Sequence, residues 1–133
     1  MNLQYGDITD KIEAFNEQSQ RPIIDLDIDK LADLDSLLAL IDACDLVITI
    51  SNVTAHLACS LGKECWILLP WGWPNLWYWH LNGESTPWYP SARIFRQGRD
   101  EDWTQIFQGI SVALAERVKH PDHTDGMGQQ SNH

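Results

Sequence analysis

Basic residues are scarce in this chain. Lys and Arg number 9 against 19 Asp and Glu, for a formal net charge of −10. A surface of that sign repels phosphate backbones and anionic lipid, which argues against nucleic-acid and membrane-surface partners. Cysteine is sparse too: Cys44, Cys59 and Cys65 form no C-x-x-C pair and sit among apolar neighbours. That pattern suits buried free thiols of a reducing cytosol better than disulfides. Residues 1–20 contain neither a basic start nor an apolar run, so no secretory signal is expected. No apolar stretch approaches the roughly 20 residues of a membrane span. The expectation is a soluble cytoplasmic protein. What the chain does have is 44% hydrophobic residues over 133 positions, enough for the core of one domain or part of one.

Hydrophobic spacing predicts an alternation of helices and strands. Asp7 or Thr9 is suited to cap a helix running to about Gln18, with Ile12 and Phe15 inward. Residues 23–28 alternate apolar and acidic side chains, the pattern of an edge or half-exposed strand. Asp33 or Asp35 opens a second helix whose Leu34, Leu37, Leu38 and Ile41 make one stripe. Residues 46–50 (Leu-Val-Ile-Thr-Ile) read as a strand covered on both faces, as in parallel sheets. Ser51 and Asn52 make the turn, residues 53–61 a short helix, and Gly62 its left-handed end. Residues 65–69 form the next strand, giving a right-handed βαβ unit. After a long aromatic loop, residues 92–95 predict a last strand. Asp102 and Gln105 form a capping-box pattern before a helix with Ile106, Phe107, Ile110 and Leu114 inward. Residues 120–133 read as a polar, disordered tail. The fold class is α/β: a Rossmann-like three-layer α/β/α arrangement with a mainly parallel sheet, over residues 1–119.

Ligands of open parallel sheets bind beyond the carboxyl ends of the strands. Ser51, Asn52 and Thr54 place hydroxyl and amide groups there, beside a helix N-terminus with about half a positive charge. His56 follows on the first turn, within reach of a phosphate or sugar oxygen. The plainer alternative is a helix cap at Ser51 or Asn52 and a hydrogen-bonded core histidine at position 56.

The stretch Val47-Ile48-Thr49-Ile50-Ser51-Asn52-Val53-Thr54-Ala55-His56-Leu57-Ala58, with Leu61-Gly62-Lys63, resembles the donor-site motif of heptosyltransferase-type glycosyltransferases. It is more similar still to the C-terminal glycosyltransferase-like domain of bacterial tetratricopeptide-repeat proteins. Trp66-Ile67-Leu68-Leu69-Pro70 matches that group as well. So does the stretch from Ser85 through Trp88-Tyr89-Pro90 to Phe95-Arg96-Gln97, followed by Asp102-Trp103. The resemblance implies part of the C-terminal half of a two-Rossmann-domain (GT-B) enzyme. That half binds a nucleotide-diphosphate sugar. It places Ser51, Asn52, Thr54 and His56 at the donor diphosphate; Trp88 and Tyr89, inside the matching stretch, are candidate ligand-side residues, and Arg93 carries a charge able to neutralise a phosphate. It requires no metal or other cofactor. Many relatives carry Asp-Thr where this chain has Ser51-Asn52. The resemblance identifies no catalytic base, and expects one from an acceptor domain or a second chain; a homo-oligomer is a further expectation.

The remaining features have competing readings. Trp71, Trp73, Trp77, Tyr78 and Trp79 suit packing or an interface, and aromatic rings also stack on sugars or bases. An interaction module built on this loop, without catalysis, is the rival function. Asp25 and Asp27 have the D-x-D spacing that can share a hard cation, and equally that of a solvated strand face. His120 and His123 have a metal-site spacing without further ligands.

Overall fold

A computed structural model of the chain describes residues 1–3, 7–30, 32–72, 76–79 and 82–119. Helix α1 spans Thr9–Gln18 and α2 Leu34–Asp42; then come β1 (Val47–Ile50), α3 (Val53–Ser60), β2 (Cys65–Leu69), a 3₁₀ turn (Trp77–Trp79), β3 (Ala92–Arg96) and α4 (Thr104–Lys119). The strands form a parallel sheet in the order β1-β2-β3. Val47 pairs with Cys65 and Cys65 with Ala92, so the three strands end together at their carboxyl edge. The α/β class and parallel sheet expected from the sequence are those observed.

Side-chain alternation divides the sheet into two faces. Val47, Cys65, Ile67, Ala92 and Ile94 pack with Leu37 and Ile41 of α2, Ala55, Ala58 and Cys59 of α3, and Trp79. Trp66 and Leu68 point the other way, against Ile106, Ile110 and Ala113 of α4. Helices therefore cover both faces, as parallel sheets require. The α3–β2 connection closes through Gly62 at φ 72, with Gly62 N–H donating to Cys59 O and Lys63 N–H to Ala58 O. All three cysteines are free, Cys59 and Cys65 buried and Cys44 half-buried. The Cys65 thiol is pushed up by its hydrogen bond with Cys59 and by burial.

Several expected details differ. Residues 23–28 form no strand. Their backbone is tied down piecemeal instead: Ile23 N–H donates to Asn16 Oδ1 (2.6 Å), and Asn2 N–H donates to Ile24 O (2.8 Å). Asp25, half of the D-x-D pair, accepts from Lys30 Nζ (2.9 Å) and Asn2 Nδ2 (3.1 Å). No group of three or more metal-ligating side chains occurs among the described residues. Phe15 and Phe107 are exposed; the buried residue of α1 is Ile12, and the face of α4 that meets the sheet carries Ile106, Ile110 and Ala113. Leu34 is exposed as well, while Leu40 joins Leu37 and Ile41 inside. Asp33 caps α2 as predicted, its Oδ1 accepting from Ser36 N–H (3.0 Å); Asp102 stands one residue ahead of the cap position of α4, and its Oδ1 accepts from Thr104 N–H, the first of the helix (2.8 Å). Gln105, however, donates to Asp100 (3.4 Å) and closes no capping box.

The strand read as fully covered is an edge. β1 has β2 on one side and no strand on the other among the described residues, and Ile48 and Ile50 are 41% and 55% exposed. Residues 120–133, with His120 and His123, lie outside the described residues, as does Trp73. No helix among the described residues is long and apolar enough to cross a membrane.

Candidate functional site

The β1–α3 turn sits at the carboxyl edge of the sheet, and Asn52 organises it. Asn52 is extended and caps α3: its Oδ1 accepts from Ala55 N–H (3.1 Å) and from Thr49 Oγ1 (3.3 Å). The cap leaves the N–H of Val53, the first helical residue, without an acceptor inside the helix. Thr54 is buried, so its side chain supports the turn from within.

The aromatic loop folds over this turn. Trp79 is buried, and its indole N–H donates to Ser51 Oγ (2.8 Å). Its ring stacks on His56, with centroids 5.2 Å apart and an interplanar angle of 22°. Tyr78 meets His56 edge-on at 4.9 Å. From the later loop, the Tyr89 hydroxyl lies 2.9 Å from His56 Nδ1. With the phenol donating, the imidazole keeps its proton on Nε2, where it can be offered to a ligand oxygen. Burial holds His56 below the ordinary imidazole range, which favours the neutral ring at neutral pH.

Two of the stretches that carry the family resemblance hold this loop in place. Arg96 donates to the carbonyls of Trp79 and Gly83. Gln97 is buried; its N–H donates to Leu69 O (2.9 Å), and its side-chain oxygen accepts from Trp71 N–H (2.9 Å). Thr86 Oγ1 donates to Tyr78 O (2.6 Å) and accepts from Trp88 N–H (3.3 Å). The Phe-Arg-Gln motif thus anchors the loop, and the Trp-Tyr-Pro motif brings Tyr89 to His56.

The structure brings Ser51, Asn52, Thr54, His56 and Tyr89 together. Trp88 stands at the rim, exposed and edge-on to Trp77 at 4.9 Å. Arg93 is elsewhere: it lies on the α4 face of the sheet, over the rings of Phe95 (4.9 Å) and Trp66 (5.8 Å), and pairs with Glu84 (3.1 Å). Alternation along β3 dictates this, because Ala92 and Ile94 face α3 and Arg93 must face away. Trp79, which links Ser51 to His56, is the residue that composition did not distinguish from its neighbours.

Comparison with known proteins finds one resemblance of note. The chain is similar to the protein FlbA of Caulobacter vibrioides. The two are 36% identical over 115 residues, which cover 86% of this chain and 19% of FlbA. The chain therefore spans less than a fifth of the length of that relative. No family model matches the chain, and no solved structure matches it.

The packing of His56 has a measurable consequence. The folded state resists protonation at His56, whereas the unfolded chain takes up the proton at the ordinary imidazole value. The unfolded state thus binds more protons as pH falls through the ordinary range, and stability declines with it, levelling off once the folded imidazole is itself protonated. The melting temperature should fall between about pH 7.5 and about pH 5.5, and fall less in His56→Gln. Equal declines in both proteins would show that His56 does not carry the effect.

Proposed function

We propose that the chain is the donor-binding part of a glycosyltransferase, holding a nucleotide-diphosphate sugar at the carboxyl edge of its sheet. The observation that carries this reading is the meeting of Ser51, Asn52 and His56 at the N-terminus of α3 with Tyr89 from a separate stretch, 2.9 Å from His56. In this reading the N–H groups of the first helical turn and the α3 dipole meet the diphosphate. Neutral His56 donates to a phosphate or sugar oxygen. As the glycosidic bond breaks, charge grows on the departing diphosphate, and these fixed dipoles stabilise it. The residue at position 51 is a serine whose oxygen already accepts from Trp79, so the site offers dipoles and a neutral ring in place of a carboxylate. The acceptor and the base that activates it come from another domain or chain.

One observation favours a second reading. Trp77 and Trp88 are 67% and 57% exposed and in contact, an arrangement also suited to a protein partner without any catalysis. Calorimetric titration with UDP, GDP and ADP separates the two. Saturable binding of one of these diphosphates is expected, lost in the Asn52→Ala, His56→Ala double variant. Loss of the Asn52 cap costs about 1 kcal/mol, so circular dichroism must show that the variant is folded. If none of the three binds, or the double variant binds as tightly as the native chain, the donor-site reading fails.

A further inference from the structure

The exposed aromatic pair beside the α3 turn is held from within. Thr86 is buried, and its hydroxyl joins the two segments that carry the rings: it donates to Tyr78 O (2.6 Å) and accepts from Trp88 N–H (3.3 Å). Trp77 and Trp88 meet at 4.9 Å with an interplanar angle of 88°. Trp77 also touches Tyr78 edge-on at 5.5 Å. Both indoles are nevertheless more than half exposed. Two large apolar rings are thus fixed facing solvent, where burial of apolar surface gives folding no reason to hold them.

The pair continues the candidate site. Trp77 and Trp88 each directly precede a tyrosine whose ring touches His56: Tyr78 at 4.9 Å and Tyr89 at 5.6 Å, both edge-on. Consecutive Cα atoms lie about 3.8 Å apart, so the two indoles stand next to the rings that surround the imidazole. Their right angle makes a corner. A third flat ring that stacks on one indole meets the face of the other with its edge. One position thus gives both of the arrangements that aromatic pairs favour. A flat heterocycle fits it, whereas a puckered sugar ring has no π-face to stack.

We propose that the Trp77–Trp88 corner seats the base of a nucleotide whose diphosphate lies at the N-terminus of α3, so that these two residues select a nucleoside diphosphate over a phosphate without a base. This placement rests on the donor-site reading and adds to it the end of the ligand that the α3 turn does not recognise. The helix N-terminus and His56 engage phosphate oxygens, which inorganic phosphates share with every nucleotide. Stacking supplies the distinction, and it tolerates any base, because each has a π-face. It also suits a chain of net charge −10. That charge opposes the approach of the phosphates and leaves attraction to the base untouched.

Calorimetric titration of the full chain with UDP, GDP and ADP, and with inorganic pyrophosphate as the probe without a base, tests it. For a nucleoside diphosphate that the native chain binds, Trp88→Ala and Trp77→Ala should each weaken binding by about tenfold or more. Trp88→Phe keeps a stacking face and should lose less than about threefold, whereas Trp88→Leu, apolar but without a π-face, should resemble Trp88→Ala. Pyrophosphate affinity should not change in any of them. Both rings are exposed, so the variants should keep the native far-UV spectrum. If a nucleoside diphosphate binds and the tryptophan variants bind it as tightly, or Leu serves as well as Phe, the base is not stacked here and the donor-site reading stands without it. Equal losses for nucleotide and pyrophosphate would show that the rings only support the turn, and would overturn the proposal. If no nucleoside diphosphate binds the native chain, both readings fail. A native dimer in sedimentation that is lost in the Trp77→Ala, Trp88→Ala double variant, with nucleotide affinity unchanged, would make the corner a protein contact and likewise overturn it.

Discussion

Trp79→Ala should cost about 3–5 kcal/mol of folding stability, the range for truncating a buried tryptophan. That is much of the roughly 5–15 kcal/mol that holds a typical domain together. The indole has 2% of its surface exposed and occupies the junction of the α3 helix, the sheet and the aromatic loop. Its removal leaves a cavity under His56 and takes away the donor to Ser51 Oγ. Trp79→Phe keeps a ring against His56 but loses the N–H, so it should fall between the native chain and Trp79→Ala. Urea unfolding of the three proteins gives the comparison. If Trp79→Ala unfolds at nearly the native midpoint with the native slope, the loop is not part of the cooperative core.

The second large effect is expected at the centre of the sheet. Ile67 is fully buried on β2, paired in register with Thr49 on one side and Ile94 on the other. Ile67→Ala should cost about 2–5 kcal/mol, and Ile67→Val about 0.5–1.5 kcal/mol, since the latter removes a single methylene. Ile48→Ala makes the same chemical change one strand away, at a position 41% exposed, and should stay within about 0.5 kcal/mol at protein concentrations too low for self-association. Thermal and urea unfolding of the set reads out the gradient from core to edge. A cost at Ile48 equal to that at Ile67 in dilute solution would mean that the β1 edge is covered within a single chain.

The β1–α3–β2 unit was legible because each of its parts announces itself locally. A β-branched run makes the strand, Ser51 and Asn52 the turn, and Gly62 the stop; the boundaries expected for β1 and α3 differ from the observed ones by one residue. What periodicity cannot state is how many neighbours a strand has. Residues 46–50 therefore read as a central strand, although β1 lies at an edge. Residues 23–28 failed for a related reason: alternation shows which side chains share a face, but a strand needs a partner backbone, and Asn16 took the hydrogen bond of Ile23 instead. At Phe15 and Phe107, helical spacing gave a wider stripe than the one that is buried. The site was legible in its turn residues and in His56. Its aromatic half was not, because nothing local distinguishes buried Trp79 from exposed Trp77 two positions earlier; the difference comes from Ser51, far away in sequence. The placement of Arg93 away from His56, by contrast, was already implied by the period of two in residues 92–95.

The occupied edge of the sheet at β3 also bears on where association stops. A chain with two bare edges adds copies at both and grows into an open ribbon. Here Glu84, Tyr89, Arg93 and Arg96 cover the β3 side, so the sheet cannot lengthen past β3. An open ribbon of added strands, which needs two free edges, is therefore blocked at β3.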